Sequence, residues 1–149
     1  RRTGKKLSVF CNAGCIKVPK SESRLFALME DCIHEVRMPN FKYNFHPKIW
    51  VVQYRNTVDN RNLMKVIVMS RNLTFDQSMD IAVTLEAETT EICNQAHQGL
   101  ADMIAFVAKK TTPKKKRDKI LGLVDSIMHA GAFDCGSDFE SCGIPFFGG

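Results

Sequence analysis

The chain has 149 residues, 44% of them hydrophobic and 25% charged, a composition that fits one folded domain and excludes a disordered chain. No apolar run approaches the roughly 20 residues that a membrane-spanning helix needs, which excludes a transmembrane protein. Lysine and arginine number 21 against 16 aspartates and glutamates, and the net charge of +5 weakly favours anionic partners.

The cysteines and the chain ends indicate the cellular setting. The chain has six cysteines, none paired at C-x-x-C spacing, and it is long enough to build a core without disulfides. We therefore expect free thiols in a reducing, cytoplasmic protein, with Cys32 and Cys93 on apolar helix faces. The missing spacing also argues against a zinc site built on Cys11 and Cys15. The first residues do not form a secretory signal, and the glycine-rich end suggests a piece of a longer protein.

The first part of the chain predicts a strand and a helix. Residues 7–11 are mostly apolar and stop at a small polar turn, which predicts a short strand. Apolar residues then recur at intervals of three and four, which predicts an amphipathic helix over residues 23–37 that Pro39 ends. His34 lies beside the apolar face of this helix, and we expect a structural role for it.

A β-hairpin follows. Residues 49–54 and 63–70 are rich in β-branched and aromatic side chains, and a polar stretch at 55–62 separates them. Residues 80–86 predict a further strand. We expect Trp50 in the core, together with a set of methionines: Met29, Met64, Met69, Met103 and Met128.

The remainder predicts helices. Helical spacing of apolar residues predicts one helix over residues 92–107 and another over 120–128, with structural roles for His97 and His129. A basic cluster at 112–119 could contact phosphates, but we expect it to form a solvated turn between the helices. The order β-α-β-β-β-α-α indicates an α/β fold in which helices cover a sheet. This domain is expected to span residues 1–131, with an irregular tail at 132–149.

Four polar side chains are expected to converge at one end of the hairpin. His46 and Lys48 are two residues apart where the first strand begins, and Ser70 and Asn72 are two apart where the second ends. An imidazole can attack phosphorus or move a proton near neutral pH. An ammonium, a hydroxyl and an amide can hold the phosphate oxygens. No carboxylate cluster lies nearby, so we expect phosphodiester chemistry without a metal or another cofactor.

These residues carry a resemblance to a known family. Residues 46–48 read His-Pro-Lys and residues 70–74 read Ser-Arg-Asn-Leu-Thr, which resembles the H-x-K…G-S-x-N motif of the phospholipase D superfamily. The segment that continues through residues 80–86 is similar to bacterial phospholipase-D-like proteins associated with nucleases, restriction systems and helicases. The resemblance covers residues 46–86, and it implies a phospholipase D-like mixed β-sheet flanked by helices.

The resemblance also implies a role for each motif residue. His46 would be the nucleophile that forms a phosphohistidine, or else the acid that protonates the leaving group. Lys48 and Asn72 would bind the phosphate, and Ser70 would orient or contact it.

Other positions add to this pattern or depart from it. The family places an acidic residue on the next strand, hydrogen-bonded to the histidine, and Asp80 is our candidate with Glu86 in reserve. The family's aspartate five residues after the lysine is Gln53 here, and its glycine before the serine is Met69. The chain holds one motif where the family's active site needs two, which implies a homodimer or a second half outside this sequence.

Three functions follow from these observations. The first is a phosphodiesterase half-domain that cleaves nucleic acid without a metal and binds no membrane. The second is a phospholipase, which needs an apolar membrane-facing loop at the site, and the polar turn at 55–62 argues against it. The third is a catalytically silent domain for DNA binding or dimerisation, with which Gln53 and the single motif are compatible.

Overall fold

A computed structural model of the chain describes residues 6–16, 30–40, 42–59, 61–71, 77–134 and 136. Within these residues it contains five strands and two α-helices, which confirms the α/β class. The strands form two sheets, in contrast to the one mixed sheet that the sequence indicates. Neither helix is long and apolar enough to cross a membrane.

The first sheet consists of two parallel strands. Strand β1 (Val9–Asn12) confirms the first predicted strand, and it pairs with β2 (Ile33–Val36). A short 3-10 helix, Glu30–Cys32, leads directly into β2. Asn12 ends β1, and its side-chain Oδ1 accepts a hydrogen bond from the backbone amide of Phe45 at 3.0 Å.

Strand β2 corrects the helix predicted over residues 23–37. Residues 33–36 are extended, and residues 17–29 lie outside the part that the structure describes. In β2, His34 and Val36 are buried while Glu35 is exposed, the alternation of a strand with one covered face. The apolar spacing is compatible with both a helix and a strand here, and pairing with β1 decides because it satisfies the backbone of both segments.

The second sheet is antiparallel, in the order β3-β4-β5. Its strands are β3 (Ile49–Arg55), β4 (Asn62–Met69) and β5 (Ala82–Glu88), which confirm the predicted hairpin and the further strand. Ile49 lies opposite Val68 in the hairpin, and Val68 lies opposite Val83 on the other side. The β-branched side chains of these strands suit a pleated, half-buried surface.

Two helices follow the second sheet. Helix α1 (Gln98–Lys109) begins six residues later than predicted, after a short 3-10 helix, Gln95–His97. The Ala96 amide in that 3-10 helix donates to the side-chain oxygen of Asn94 at 3.1 Å. Ile92 is 78% exposed, and Cys93 is also exposed, so the placement of Cys93 on an apolar helix face is wrong. Cys32 is buried, but it lies in a 3-10 helix.

Helix α2 (Lys114–Met128) begins earlier than predicted and absorbs most of the basic cluster, so the expected solvated turn at 112–119 is wrong for Lys114 onward. Pro113 precedes the helix with φ −72°, the value that its ring imposes and a helix start accepts. Lysine is a good helix former, which lets the helix extend through this charged segment.

Both helices cover one face of the antiparallel sheet. The core between them contains Met64 and Ala87 from the sheet and Ile104, Ile120 and Ile127 from the helices. The core position of Met64 is confirmed, and Met69, Met103 and Met128 are half-buried, while Met29 lies outside the described residues. Trp50 belongs to the opposite face and is 41% exposed, so its predicted place in the core is wrong.

Candidate active site

One end of the antiparallel sheet collects four of the five site residues that the sequence indicates. His46 and Lys48 precede β3, Ser70 follows β4 directly, and Asp80 precedes β5. Because neighbouring strands are antiparallel, these chain segments meet at the same end. Two backbone hydrogen bonds hold them there: the Met69 amide donates to the Lys48 carbonyl, and the Ser70 amide donates to the Ile81 carbonyl, each at 2.9 Å.

The first pair at this end is His46 and Lys48. The Lys48 Nζ lies 2.9 Å from His46 Nδ1, with His46 exposed and Lys48 half-buried. An ammonium donates hydrogen bonds and has no lone pair to accept one, so Nδ1 is the acceptor and the ring proton is on Nε2.

The second pair is Ser70 and Asp80. The Ser70 hydroxyl donates to Asp80 Oδ1 at 2.5 Å, and it accepts a hydrogen bond from the Ile81 backbone amide at 3.1 Å. In the structure the carboxylate of Asp80 therefore contacts Ser70, whereas the resemblance implies that it contacts His46. The Ile81 amide is a participant that sequence reasoning missed, because every residue except proline carries such a group and no side chain marks it.

The register explains how Ser70 is oriented. Lys48 lies opposite Met69, the last residue of β4, so Ser70 is one position beyond the paired strand. Side chains alternate between faces only while the strand continues. The direction of the Ser70 side chain is therefore determined by its contacts with Asp80 and Ile81.

The structure does not bring Glu86 to this end of the sheet. Glu86 lies within β5 opposite Lys65, and its Oε1 forms a 2.6 Å ion pair with Lys65 Nζ. Asn72 lies outside the described residues. Gln53, at the position of the family's aspartate, donates from Nε2 to Ser126 Oγ at 2.9 Å and so connects β3 to α2.

The polar turn at 55–62 lies at the opposite end of the hairpin from the site, because it joins the end of β3 to the start of β4. Its polarity therefore does not bear on whether a membrane-facing loop borders the site. This removes the argument against a phospholipase that the sequence suggests. Val58 in this turn is in fact 90% exposed.

Among the described residues, no group of three or more histidine, cysteine, aspartate or glutamate side chains is arranged to hold a metal ion. Cys11, Cys15, Cys32 and Cys93 are free thiols. Burial, followed by the nearby charge of Glu35, raises the pKa of the Cys11 thiol, which keeps it protonated and unreactive.

Comparison of the chain with models of known protein families, with curated proteins and with solved structures gives no match.

Proposed function

We propose that this chain is a phosphodiesterase half-domain of the phospholipase D type that hydrolyses phosphodiester bonds of nucleic acid. The observation that carries the proposal is the contact between Lys48 Nζ and His46 Nδ1, at the sheet end that also holds the Ser70–Asp80 pair. A cation, an imidazole and a hydroxyl at one exposed edge form a set that suits an anionic, tetrahedral phosphate. The motif resemblance of residues 46–48 and 70–74 supports the same reading.

The reaction would take two steps. In the first, His46 Nε2 attacks phosphorus, the bond from phosphorus to the leaving oxygen breaks, and that oxygen takes a proton from a second histidine. In the second, water attacks the phosphohistidine, the second histidine takes the water proton, and the bond from phosphorus to Nε2 breaks. The second histidine would come from another copy of the chain or from a second half of the protein.

Nucleophilic attack requires a change in the His46–Lys48 contact. The lone pair has to be on Nε2, which requires the ring proton on Nδ1, and an ammonium cannot accept a hydrogen bond from Nδ1–H. We therefore expect the bound phosphate to draw Lys48 away from the ring. Asp80 is then the carboxylate available at this end of the sheet to accept from Nδ1–H.

The remaining side chains would bind and orient the phosphate. Lys48 supplies a positive charge to the non-bridging oxygens, where negative charge grows in the transition state. Ser70 donates its one hydroxyl hydrogen to Asp80, so in this arrangement it would orient that carboxylate, and it would donate to the phosphate only after leaving Asp80. Asn72 takes part by resemblance.

A nucleic-acid substrate is favoured by charge. The chain has a net charge of +5, and the exposed first turns of α2 present Lys114, Lys115 and Lys119. Basic side chains that contact the phosphate backbone release counterions and contribute affinity for any sequence. We therefore propose single- or double-stranded nucleic acid as the substrate class.

The test compares two histidine substitutions in the same chain. His46→Asn is expected to lower the cleavage of a DNA oligonucleotide by about 10²- to 10⁴-fold, the usual size of an acid–base contribution or larger. His129→Asn, at the C-terminal end of α2, is the matched control and is expected to leave the rate unchanged. Cleavage is expected to persist in EDTA, and light scattering of the active fraction is expected to show a dimer. Equal rates for both variants would contradict the proposal, and cleavage of phospholipid vesicles in preference to DNA would favour the phospholipase.

A further inference from the structure

A groove runs between the two sheets, bordered by β1 on one side and β3 on the other. Its volume is about 1000 Å³, and it extends along the whole of β3 and the start of β1. Helices α1 and α2 form its floor with Ile104, Val107 and Ile120.

Both strands that border the groove have an unpaired edge within the part of the chain that the structure describes. Strand β1 pairs on one side with β2, and β3 pairs on one side with β4. Backbone N–H and C=O groups at a strand edge need partners, and an edge beside apolar walls has less access to water than an open one.

The hydrogen-bond pattern identifies which groups of β3 point into the groove. Lys48 and Met69 form a hydrogen-bonded pair at one end of the hairpin, and Asn56 and Arg61 form another at the other end. Backbone groups point toward the partner strand at alternate residues. The even-numbered residues of β3 therefore face β4. The odd-numbered ones direct their N–H and C=O groups into the groove: Ile49, Val51, Gln53 and Arg55.

The volume of the groove is close to that of one additional strand. A strand residue occupies about 160 Å³ in a packed sheet, from a rise of about 3.3 Å, a strand spacing of about 4.8 Å and a layer thickness of about 10 Å. A volume of about 1000 Å³ therefore holds about six residues. Strand β3 has seven.

The lining also selects the chemistry of an occupant. The helices contribute apolar side chains to the lining, which also includes five cationic residues: Lys6, Lys48, Arg55, Lys116 and Lys119. Among the described residues that line the groove, none is an aspartate or a glutamate. An occupant with apolar side chains toward the helices and at least one carboxylate toward the cationic residues would complement this lining.

We propose that this groove binds a β-strand of another polypeptide, an extended segment of about six residues with alternating apolar side chains and an acidic residue. The strand would pair with both free edges and join the two sheets into one, in the order β2-β1-strand-β3-β4-β5. The end of β1 lies beside the segment that leads into β3, as the Asn12–Phe45 hydrogen bond shows, so β1 and β3 run in opposite directions. The bound strand would therefore be parallel to one of them and antiparallel to the other. This proposal does not depend on the proposed enzymatic function.

The test is amide hydrogen exchange by NMR on the intact chain. The probe is a pool of capped octapeptides in which Val, Ile or Phe alternates with Thr or Glu, and the control pool carries a central proline that cannot join a ladder. We expect the pool to slow exchange at the odd residues Val51 and Gln53 at least tenfold. Trp50 and Val52 face β4 and are expected to be slow from the start, and the proline pool is expected to change nothing.

Variants provide two independent checks. Gln53→Pro removes an edge N–H without touching the β3–β4 ladder and is expected to weaken binding of the pool at least tenfold, whereas Gln53→Ala retains it. If the proline variant does not fold, Lys119→Glu is expected to weaken binding of the acidic pool and to strengthen binding of a pool with Lys in place of Glu.

Four results would overturn the proposal. Slow exchange at Val51 and Gln53 in the free monomer would mean that the chain's own residues fill the groove. Slowing that depends on protein concentration without peptide would indicate a second copy. Slowing by a single-stranded oligonucleotide instead of the peptide pool would indicate nucleic acid. No slowing with the pool at about 1 mM, where even a weak complex forms, would exclude a strand as the occupant.

Discussion

The Ser70 hydroxyl donates a hydrogen bond to Asp80 Oδ1 at 2.5 Å and so links the end of β4 to the segment that enters β5. The Ile81 amide donates to the same hydroxyl at 3.1 Å, so Ser70 uses its oxygen as acceptor and its hydrogen as donor. This leaves a second lone pair of the oxygen and the other carboxylate oxygen of Asp80 for further contacts. Ser70 therefore holds the carboxylate at the same end of the sheet as the His46–Lys48 pair.

Ser70→Ala is expected to lower cleavage more than it lowers stability. Both partners are exposed, so loss of the hydrogen bonds should reduce the free energy of unfolding by only about 0.5–1.5 kcal/mol. Cleavage is expected to fall at least tenfold, because the Asp80 carboxylate loses the hydroxyl that orients it. Thermal melting and the cleavage rate measure the two effects. Ser70→Thr keeps a hydroxyl and is the control; if it behaves like the alanine variant, the hydroxyl has no such role.

Lys48→Gln is expected to lower the cleavage rate by about 10²- to 10³-fold, the cost of removing one group that stabilises transition-state charge. The half-buried stem of Lys48 is retained in glutamine, so the fold should be preserved. Lys42→Gln removes the same charge from an exposed turn and is expected to leave the rate nearly unchanged. Single-turnover rates at fixed ionic strength provide the comparison. Similar losses in both variants would indicate a general effect of net charge.

Stability is expected to decrease in acid because of His34. Its ring lies 5.3 Å from that of Phe10, and its buried Nε2 has no hydrogen-bond partner among the described residues. Burial, and then the charge of Lys116, lowers the pKa of His34 below the ordinary value of 6.5. The unfolded chain therefore binds a proton that the folded chain excludes, and the free energy of unfolding falls as the pH drops below 6.5.

One group can contribute at most about 1.4 kcal/mol per pH unit to this slope. His34→Phe is expected to remove that contribution, and His129→Gln, at the end of α2, is expected to retain it. Urea unfolding at pH values above and below 6.5 measures the slope. An unchanged slope in His34→Phe would show that other groups cause the loss in acid.

Met64→Ala is expected to reduce the free energy of unfolding by about 2–5 kcal/mol, because it leaves a cavity in a filled core. Met64 is fully buried between the antiparallel sheet and both helices. Met79→Ala makes the same change at a side chain that is 87% exposed, and it should stay within about 0.5 kcal/mol of the parent. The fluorescence of the single tryptophan, Trp50, can follow urea unfolding of both. Equal losses of unfolding free energy in Met64→Ala and Met79→Ala would show that Met64 is not part of the core.

The hairpin, and the meeting of candidate site residues at one of its ends, could be predicted from the sequence. Residues 49–55 and 62–69 are rich in β-branched and apolar side chains, and a polar turn lies between them. This pattern is typical of a β-hairpin. Once the hairpin forms, its antiparallel pairing brings the residue before β3 to the residue after β4. The proximity of Lys48 and Ser70 at this end of the hairpin therefore follows from the local sequence pattern alone.

Strand β2 and the two side-chain pairs could not be predicted in this way. Residues 33–36 contain two apolar side chains, and their spacing is compatible with both a helix and a strand. Parallel pairing with β1 makes this segment a strand. The contact of Asp80 with Ser70 depends on a one-residue register at the end of β4. Such registers are set by the packing of the whole sheet on the helices, which no short window of sequence contains.

By itself, the sequence determined which segments form the antiparallel strands and which chemical groups stand at their ends, because alternation and turn composition act over a few residues. Only the tertiary structure decided that β1 and β3 border one groove, with no second partner strand among the described residues. It also decided that the turn at 55–62 lies at the opposite end of the hairpin from the candidate site, and that Trp50 remains half exposed. These features arise where segments distant in sequence meet. The interaction energies that determine these features arise between two elements, so the sequence of either element alone does not specify them.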